Sequence, residues 1–193
     1  MYVVTDPIRL DTASLRVLAH PLRSRLLSEL RLHGPATATE LADRLATNTG
    51  ATSYHLRKLA EVNLVVETGE GTGEQRFWAA AQESHSWSES DFEGDPDAVA
   101  ASGWLRQHYF SHFSEQLARW DDERQSWPVA WRDAAHMSDM LFTATVEELD
   151  ELMTELEAVM ARFSERFGDE PRPGARRVSV LLNAMPIDPS DRP

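Results

Sequence analysis

Wound at 3.6 residues per turn, the run Thr49-Gly50-Ala51-Thr52-Ser53-Tyr54-His55-Leu56-Arg57-Lys58-Leu59-Ala60-Glu61 separates into two faces. Thr52, Leu56 and Leu59 fall on one side, suited to packing on neighbouring helices. Gly50, Ala51, Tyr54, Arg57, Lys58 and Glu61 fall on the other. Two small residues at the start of that open face allow close approach to base edges. Tyr54 adds a ring with a hydroxyl, and Arg57 and Lys58 can reach bases or phosphates. Ser53 and His55 flank the face within reach of phosphate oxygens. A plain solvated amphipathic helix would show the same wheel, so the flanking segments decide between the two readings.

Upstream, Asn48 is placed to cap this helix. Before it, Thr37-Ala38-Thr39-Glu40 is a capping-box pattern, in which a hydroxyl and a carboxylate each satisfy a free backbone N–H. It opens a short helix carrying Leu41 and Leu45, and Ala46-Thr47 makes the turn. Further back, Pro21 suits the first position of a helix whose apolar stripe is Leu22, Leu26, Leu27 and Leu30, ended by Gly34-Pro35. Downstream, Leu64–Thr68 and Gln75–Trp78 predict two strands around the glycine-rich turn Gly69-Glu70-Gly71-Thr72-Gly73. Helix, short helix, helix and hairpin is the order of a winged helix-turn-helix.

Charge is unevenly placed along the chain. Its 193 residues carry a net charge of −13 with no cysteine. Residues 1–80 hold nine basic and nine acidic residues, so the whole excess lies in residues 81–193. A neutral front half can meet phosphate if its arginines share a face, whereas the acidic back half is unsuited to DNA. The absence of cysteine excludes disulfides, thiol chemistry and thiolate metal sites. No apolar run reaches the ~18–20 residues that cross a bilayer, and Met1–Asp6 lacks the form of a secretory leader. A cytoplasmic protein without membrane partners is the expectation.

A polar, turn-rich stretch around Ser84–Pro96 reads as a linker. The expected organisation is a winged helix-turn-helix over 1–83, a linker over 84–96, and a dimerisation and possible effector domain over 97–193. In that last part Asp95-Pro96 predicts the start of a long helix, with Leu105, Tyr109, Phe113, Leu117 and Trp120 on one face. A hairpin is expected between Trp127 and Phe142. Thr145-Val146-Glu147-Glu148 repeats the capping box ahead of a helix with Leu149, Leu152, Met153, Leu156, Val159, Met160, Phe163 and Phe167 on its apolar side, stopped by Gly168. A strand is expected over Val178–Leu182 and a frayed tail from Pro186. The predicted class is α+β, mostly α, with a small sheet in a helical C-terminal domain.

Leu18-Ala19-His20-Pro21-Leu22-Arg23, Thr39-Glu40-Leu41-Ala42, Ser53-Tyr54-His55-Leu56-Arg57-Lys58-Leu59 and Asn63-Leu64-Val65, in that order, resemble the ArsR-type winged-helix family of bacterial regulators. The resemblance covers about residues 12–80 and implies a homodimer that reads an inverted repeat in double-stranded DNA, most often as a repressor. By position it places Thr49, Ser53, Tyr54 and His55 where the family's helix meets DNA, and Arg76 in the wing. With Thr39, Gly50, Arg57 and Lys58 these complete the candidate DNA contacts. Two departures stand out. Glu40–Leu45 lacks the Cys-containing motif of the family's metal sensors, and Glu67, Glu70 and Glu74 oppose Arg76 where the wing is usually basic. Residues 81–193 resemble, more loosely, the C-terminal extensions of actinobacterial members.

Other patterns carry weaker chemistry. His108 and His112 stand at i, i+4 with Glu115 nearby, a spacing that can hold Zn²⁺ or Ni²⁺ but equally suits two surface histidines. Trp104, Tyr109, Phe113, Trp120, Trp127 and Trp131, with Trp87 and Phe110, can line a pocket for an apolar effector or form core and dimer interface. Asp121-Asp122-Glu123 and Glu147-Glu148 suit a solvated face and a helix start. No catalytic grouping, phosphate loop or dinucleotide fingerprint is present, so neither enzyme chemistry nor a cofactor is expected. A DNA-binding regulator leads; a winged helix turned to protein interaction, or a His/carboxylate metal sensor, are the rivals.

Overall fold

Side chains that accept from free backbone N–H groups fix the helix starts in the first half of the chain. In the computed structural model, which describes residues 8–69, 76–135, 137–167 and 172–187, Asp11 accepts from Ser14 N–H at 2.8 Å ahead of α1 (Thr12–Leu18). His20 Nδ1 accepts from Leu22 N–H ahead of α2 (Pro21–His33), with Pro21 in the first turn. The Thr37 capping box forms in full ahead of α3 (Ala38–Arg44): Glu40 N–H donates to the Thr37 hydroxyl at 3.2 Å, and Thr37 N–H to the Glu40 carboxylate at 2.7 Å. Asn48 Oδ1 accepts from Ala51 N–H at 2.8 Å ahead of α4 (Thr49–Ala60).

Three short strands complete the wing side: β2 (Ala36–Thr37), β3 (Val65–Glu67) and β4 (Phe77–Ala80), antiparallel in the order β2-β4-β3. Val65 faces Ala80 and Ala36 faces Trp78 in register. The expected hairpin is therefore present as β3 and β4. The strand β2 was not anticipated, because two residues are too few to show a period. Residues 70–75, most of the glycine-rich turn with Glu70 and Glu74, lie outside the described residues.

The fold is mostly helical with small sheets, as expected. Two compact units divide it, one ending at Ser111 and the other beginning at His112. The first holds the buried core: Leu15, Leu18, Leu26, Leu41, Leu56, Leu59 and Leu64 are fully enclosed.

The stretch expected as a linker belongs to this core unit. A short parallel pair joins β1 (Ile8–Arg9) to β5 (His85–Ser86), and Leu10 N–H donates to Ser86 O at 2.9 Å. Arg9 binds Asp91 and Arg16 binds Asp95, both at 2.7 Å. Phe92 is buried, as are Ala98, Ser102 and Leu105 on the first turns of α5 (Pro96–Glu123). Polar composition signalled a solvated tether; the isolated Phe92 and the arginine partners across the sequence anchor it.

The second unit contains the rest of α5, α6 (Val129–Ala134) and α7 (Val146–Phe167). Two expectations fail here. Val129 and Trp131 lie on a helix, where Trp131 meets Trp127 at i, i+4 with ring centroids 6.1 Å apart, and not on a hairpin strand. Met140–Thr143 and Val178–Leu182 are irregular and largely exposed. Apolar alternation there reports β propensity, but a strand needs a partner for its backbone groups, and none pairs with either run among the described residues. Gly168 and the end of the tail, residues 188–193, lie outside the described residues.

A half-buried pair, Arg31 and His85, couples the core unit to pH. Arg31 donates from Nε to Gln82 O at 3.0 Å and from a terminal nitrogen to His85 Nδ1 at 2.7 Å. Guanidinium has no acceptor, so His85 must present a bare Nδ1 and be neutral. Burial first, and the Arg31 charge second, push its pKa down to about 3. The unfolded chain protonates His85 near its ordinary 6.5 and the folded chain only near 3. Stability from this site is thus complete above about pH 6.5 and falls as pH drops towards 3. We predict a loss of about 1–2 kcal/mol between pH 7 and pH 5 from this group, read from urea unfolding. His85→Gln, which keeps an acceptor and does not titrate, should flatten that part of the profile; an unchanged pH dependence in the variant would refute the assignment.

Candidate nucleic-acid interface

The buried side of α4 is set by Thr52, Leu56 and Leu59, all at 0% exposure. Thr52 is a polar residue in that core, and its hydroxyl is satisfied by donating to Asn48 O at 3.1 Å. With those three side chains fixed inward, the opposite face has only one way to point. Thr49, Gly50, Tyr54 and Arg57 are exposed, Tyr54 at 52%, while Ser53, His55 and Lys58 are half-buried. Thr39, in the first turn of α3, is exposed as well.

The start of α4 combines its cap with its smallest residue. A Cβ built on Gly50 would lie 3.3 Å from Asn48 Oδ1. A side chain there would crowd the oxygen that holds the first turn, besides filling the approach to the face. The turn that delivers α3 to α4 closes through Thr47 N–H to Ala42 O at 2.9 Å, with Ala46 in the left-handed region at φ 51°.

Carboxylates neighbour several of the candidate cations. Lys58 Nζ lies 2.8 Å from Glu61 and 6.0 Å from the Tyr54 ring centroid. The Glu61 hydrogen bond, more than its charge, raises the Lys58 pKa. Arg76 is 2.8 Å from Glu67 across the wing. Arg57 has no ion pair with a described residue. Such exposed pairs are weak and exchange readily with other anions, so Lys58 and Arg76 can turn to phosphate only by leaving their carboxylates.

His55 flanks the open face half-buried, with ring contacts on either side. Its ring lies 4.5 Å from that of His20 and edge-on to Tyr54 at 5.1 Å. Its Nδ1 is enclosed without a hydrogen-bond partner in the described structure. Burial, then His20, then Arg23 lower its pKa; burial and then Arg23 lower that of His20. Arg23 donates to Val17 O. Burial and the nearby guanidinium thus both favour the neutral imidazoles, and His55 links α4 to the start of α2. The i, i+4 pattern alone could not show this, because His20 lies 35 positions away in sequence.

The aromatic residues fall into two groups. In the core unit, Trp104 and Tyr109 pack against the core with Trp87, whose indole N–H donates to Ser102 Oγ at 2.9 Å. Leu105 is fully buried there too, so the face expected to carry 105, 109, 113, 117 and 120 is used in part by the core itself. In the second unit, Trp120, Trp127 and Trp131 form a run with centroids 6.0 and 6.1 Å apart, and Phe113 neighbours His112. Clefts beside Arg9 and Asp11 are lined by residues of α1 and by Glu61–Asn63 or Asp91–Phe92, and not by these rings. His108 stacks on Trp104 at 5.1 Å, and His112 is 3.1 Å from Gln116 Nε2. No group of three or more metal-ligating side chains forms among the described residues.

Residues 18–68 match the family model described as a helix-turn-helix domain. They span α2, α3, α4 and β3, so the first half of the chain carries a helix-turn-helix domain. No curated protein matches the chain. Among solved structures, it is similar to a possible transcriptional regulator for arsenical resistance, at 29% identity over 59% of this chain and 96% of that one, TM-score 0.32. It is also similar to a mutant of Lactococcus lactis ZitR in the apo form, at 17% identity over 74% and 84% of the two chains, TM-score 0.30. A second structure of that mutant gives 17% identity, 72% and 74% coverage and TM-score 0.29.

The cap geometry predicts how α4 responds to substitution. Asn48→Ala should cost about 1 kcal/mol of stability in urea unfolding, and Asn48→Gly only a few tenths. Unchanged stability in Asn48→Ala would mean that the Asn48–Ala51 bond does not hold the helix start.

Proposed function

We propose that this protein is a sequence-specific DNA-binding transcriptional regulator, acting as a homodimer whose two α4 helices enter successive major grooves. The observation that carries this reading is the face of α4: Gly50, Tyr54, Arg57 and Lys58 stand outward while Thr52, Leu56 and Leu59 are locked in the core. A helix of 12 residues held by its cap and its core side is a rigid probe for a groove that admits one α-helix. Dimer half-sites one turn apart would hold the two helices about 34–36 Å from each other. Thr39 at the start of α3 and Ser53 beside the reading face supply phosphate contacts that set register without reading sequence. The negative charge concentrated after residue 80 keeps the rest of the chain off the DNA. Repression is the sign we assign, by blocking a promoter.

A second reading has one observation in its favour. The Lys58–Glu61 and Arg76–Glu67 pairs mute the positive charge of the reading face and wing, as suits a winged helix turned to protein contact.

Arg57→Ala should weaken binding to the DNA upstream of the protein's own gene by about 1–3 kcal/mol and relax specificity. Lys58→Ala should weaken all sequences alike and lower the salt slope by about one unit. Fluorescence anisotropy across a salt series measures both. Unchanged binding in the double variant, or no binding of the wild type to that DNA or to fragments selected from random sequence, would favour the protein-contact reading.

A further inference from the structure

Among its described residues the second unit has large apolar side chains and none that is buried. From His112 onward, none of the described residues is enclosed. Along α7, Val146 is 80% exposed, Phe163 56% and Phe167 41%, with Val159 exposed as well, while Leu149, Leu152, Met153, Leu156 and Met160 are half-buried. The apolar positions of this helix follow a strict heptad. Val146, Met153, Met160 and Phe167 recur every seven residues, and Leu149, Leu156 and Phe163 recur between them, so all seven seam positions are apolar. Leu152 and Val159 widen the stripe on one flank. A 3.5-residue repeat keeps one stripe against a partner helix over its whole length, here about 33 Å. An isolated helix of this kind is marginal in water without packing on that stripe.

We infer that α7 is a self-association helix, and that its seam is covered by α7 of a second copy running antiparallel. This rests on the dimer in the function proposed above and assigns it a place. The direction follows from charge. Between Val146 and Glu157 the helix carries Glu147, Glu148, Asp150, Glu151, Glu155 and Glu157 and no basic residue, whereas its last ten residues carry Arg162 and Arg166 against Glu165. Parallel pairing sets the two acidic halves side by side. Antiparallel pairing sets each against the basic end of the other and also opposes the helix dipoles. In that register Phe167, Phe163 and Met160 meet Leu149, Met153 and Leu156 of the second copy. Val159 meets its own counterpart at the centre, and Leu152 lies along the stem of the second copy's Arg166. One like-charge contact, between the two Glu157 side chains, remains at the solvent edge. Val146 runs past the end of the second copy's helix in this register, and the other eight apolar side chains, five of them already half-buried, offer at most about 500 Å² per copy, at the small end against the ~800 Å² per partner of a standard interface.

The chain has no cysteine, so single-cysteine full-length chains give an unambiguous test. Met153→Cys and Phe163→Cys are made separately, then oxidised alone and mixed. The expected result is a covalent dimer in the mixture at least tenfold above either chain alone, with light scattering of the wild type giving twice the monomer mass. Self-cross-linking of Met153→Cys alone would overturn the antiparallel seam in favour of a parallel one. A dimer by light scattering with no cross-link in any sample would place the interface elsewhere and overturn the inference while leaving the dimer standing. A monomer would overturn both. None of these readouts depends on DNA, so a failure of the DNA-binding reading is separately visible.

Discussion

Everything the first unit presents to solvent depends on the seating of one helix. Thr52, Leu56 and Leu59 of α4 reach a core built from α1, α2 and α3, and each is fully enclosed. Truncating such a leucine typically costs about 2–5 kcal/mol, a large part of the stability of a domain this size. The same three side chains that hold the unit together therefore fix the rotation of α4. With that rotation fixed, the outward positions of Tyr54 and Arg57 follow from helical geometry. The wing strands and the His20–His55 contact then hold the two ends of the assembly against the same helix.

Charge is arranged with the opposite economy. The core unit carries few cations on its open face, and two of them sit beside carboxylates. Exposed pairs of this kind contribute little in water and exchange readily with other anions.

Much of the first half was legible in the sequence. Caps are local: Thr37 with Glu40, Asn48 with Ala51 and Pro21 after His20 each lie within one turn, and each appears where the residues implied. The α4 wheel was legible for the same reason. What was not legible is non-local. The strands β1, β2 and β5 are two residues each and exist only through pairing with distant segments. The anchoring of residues 84–96 runs through Arg9, Arg16 and the buried Phe92, none of which carries a periodic signal. The His20–His55 ring contact is of the same kind, joining residues 35 positions apart. In the second half, alternation at Val129–Trp131 and Val178–Leu182 spoke for strands, and the missing element was a partner for their backbone groups.

The central claim is that α4 delivers its open face to DNA while the chain beyond residue 111 does not touch it. The most direct measurement is photo-cross-linking with benzoylphenylalanine placed at position 54, and separately at position 178, on the bound DNA fragment. The account predicts a covalent DNA adduct from position 54 and none from position 178. Adducts from 178 with none from 54 would contradict it.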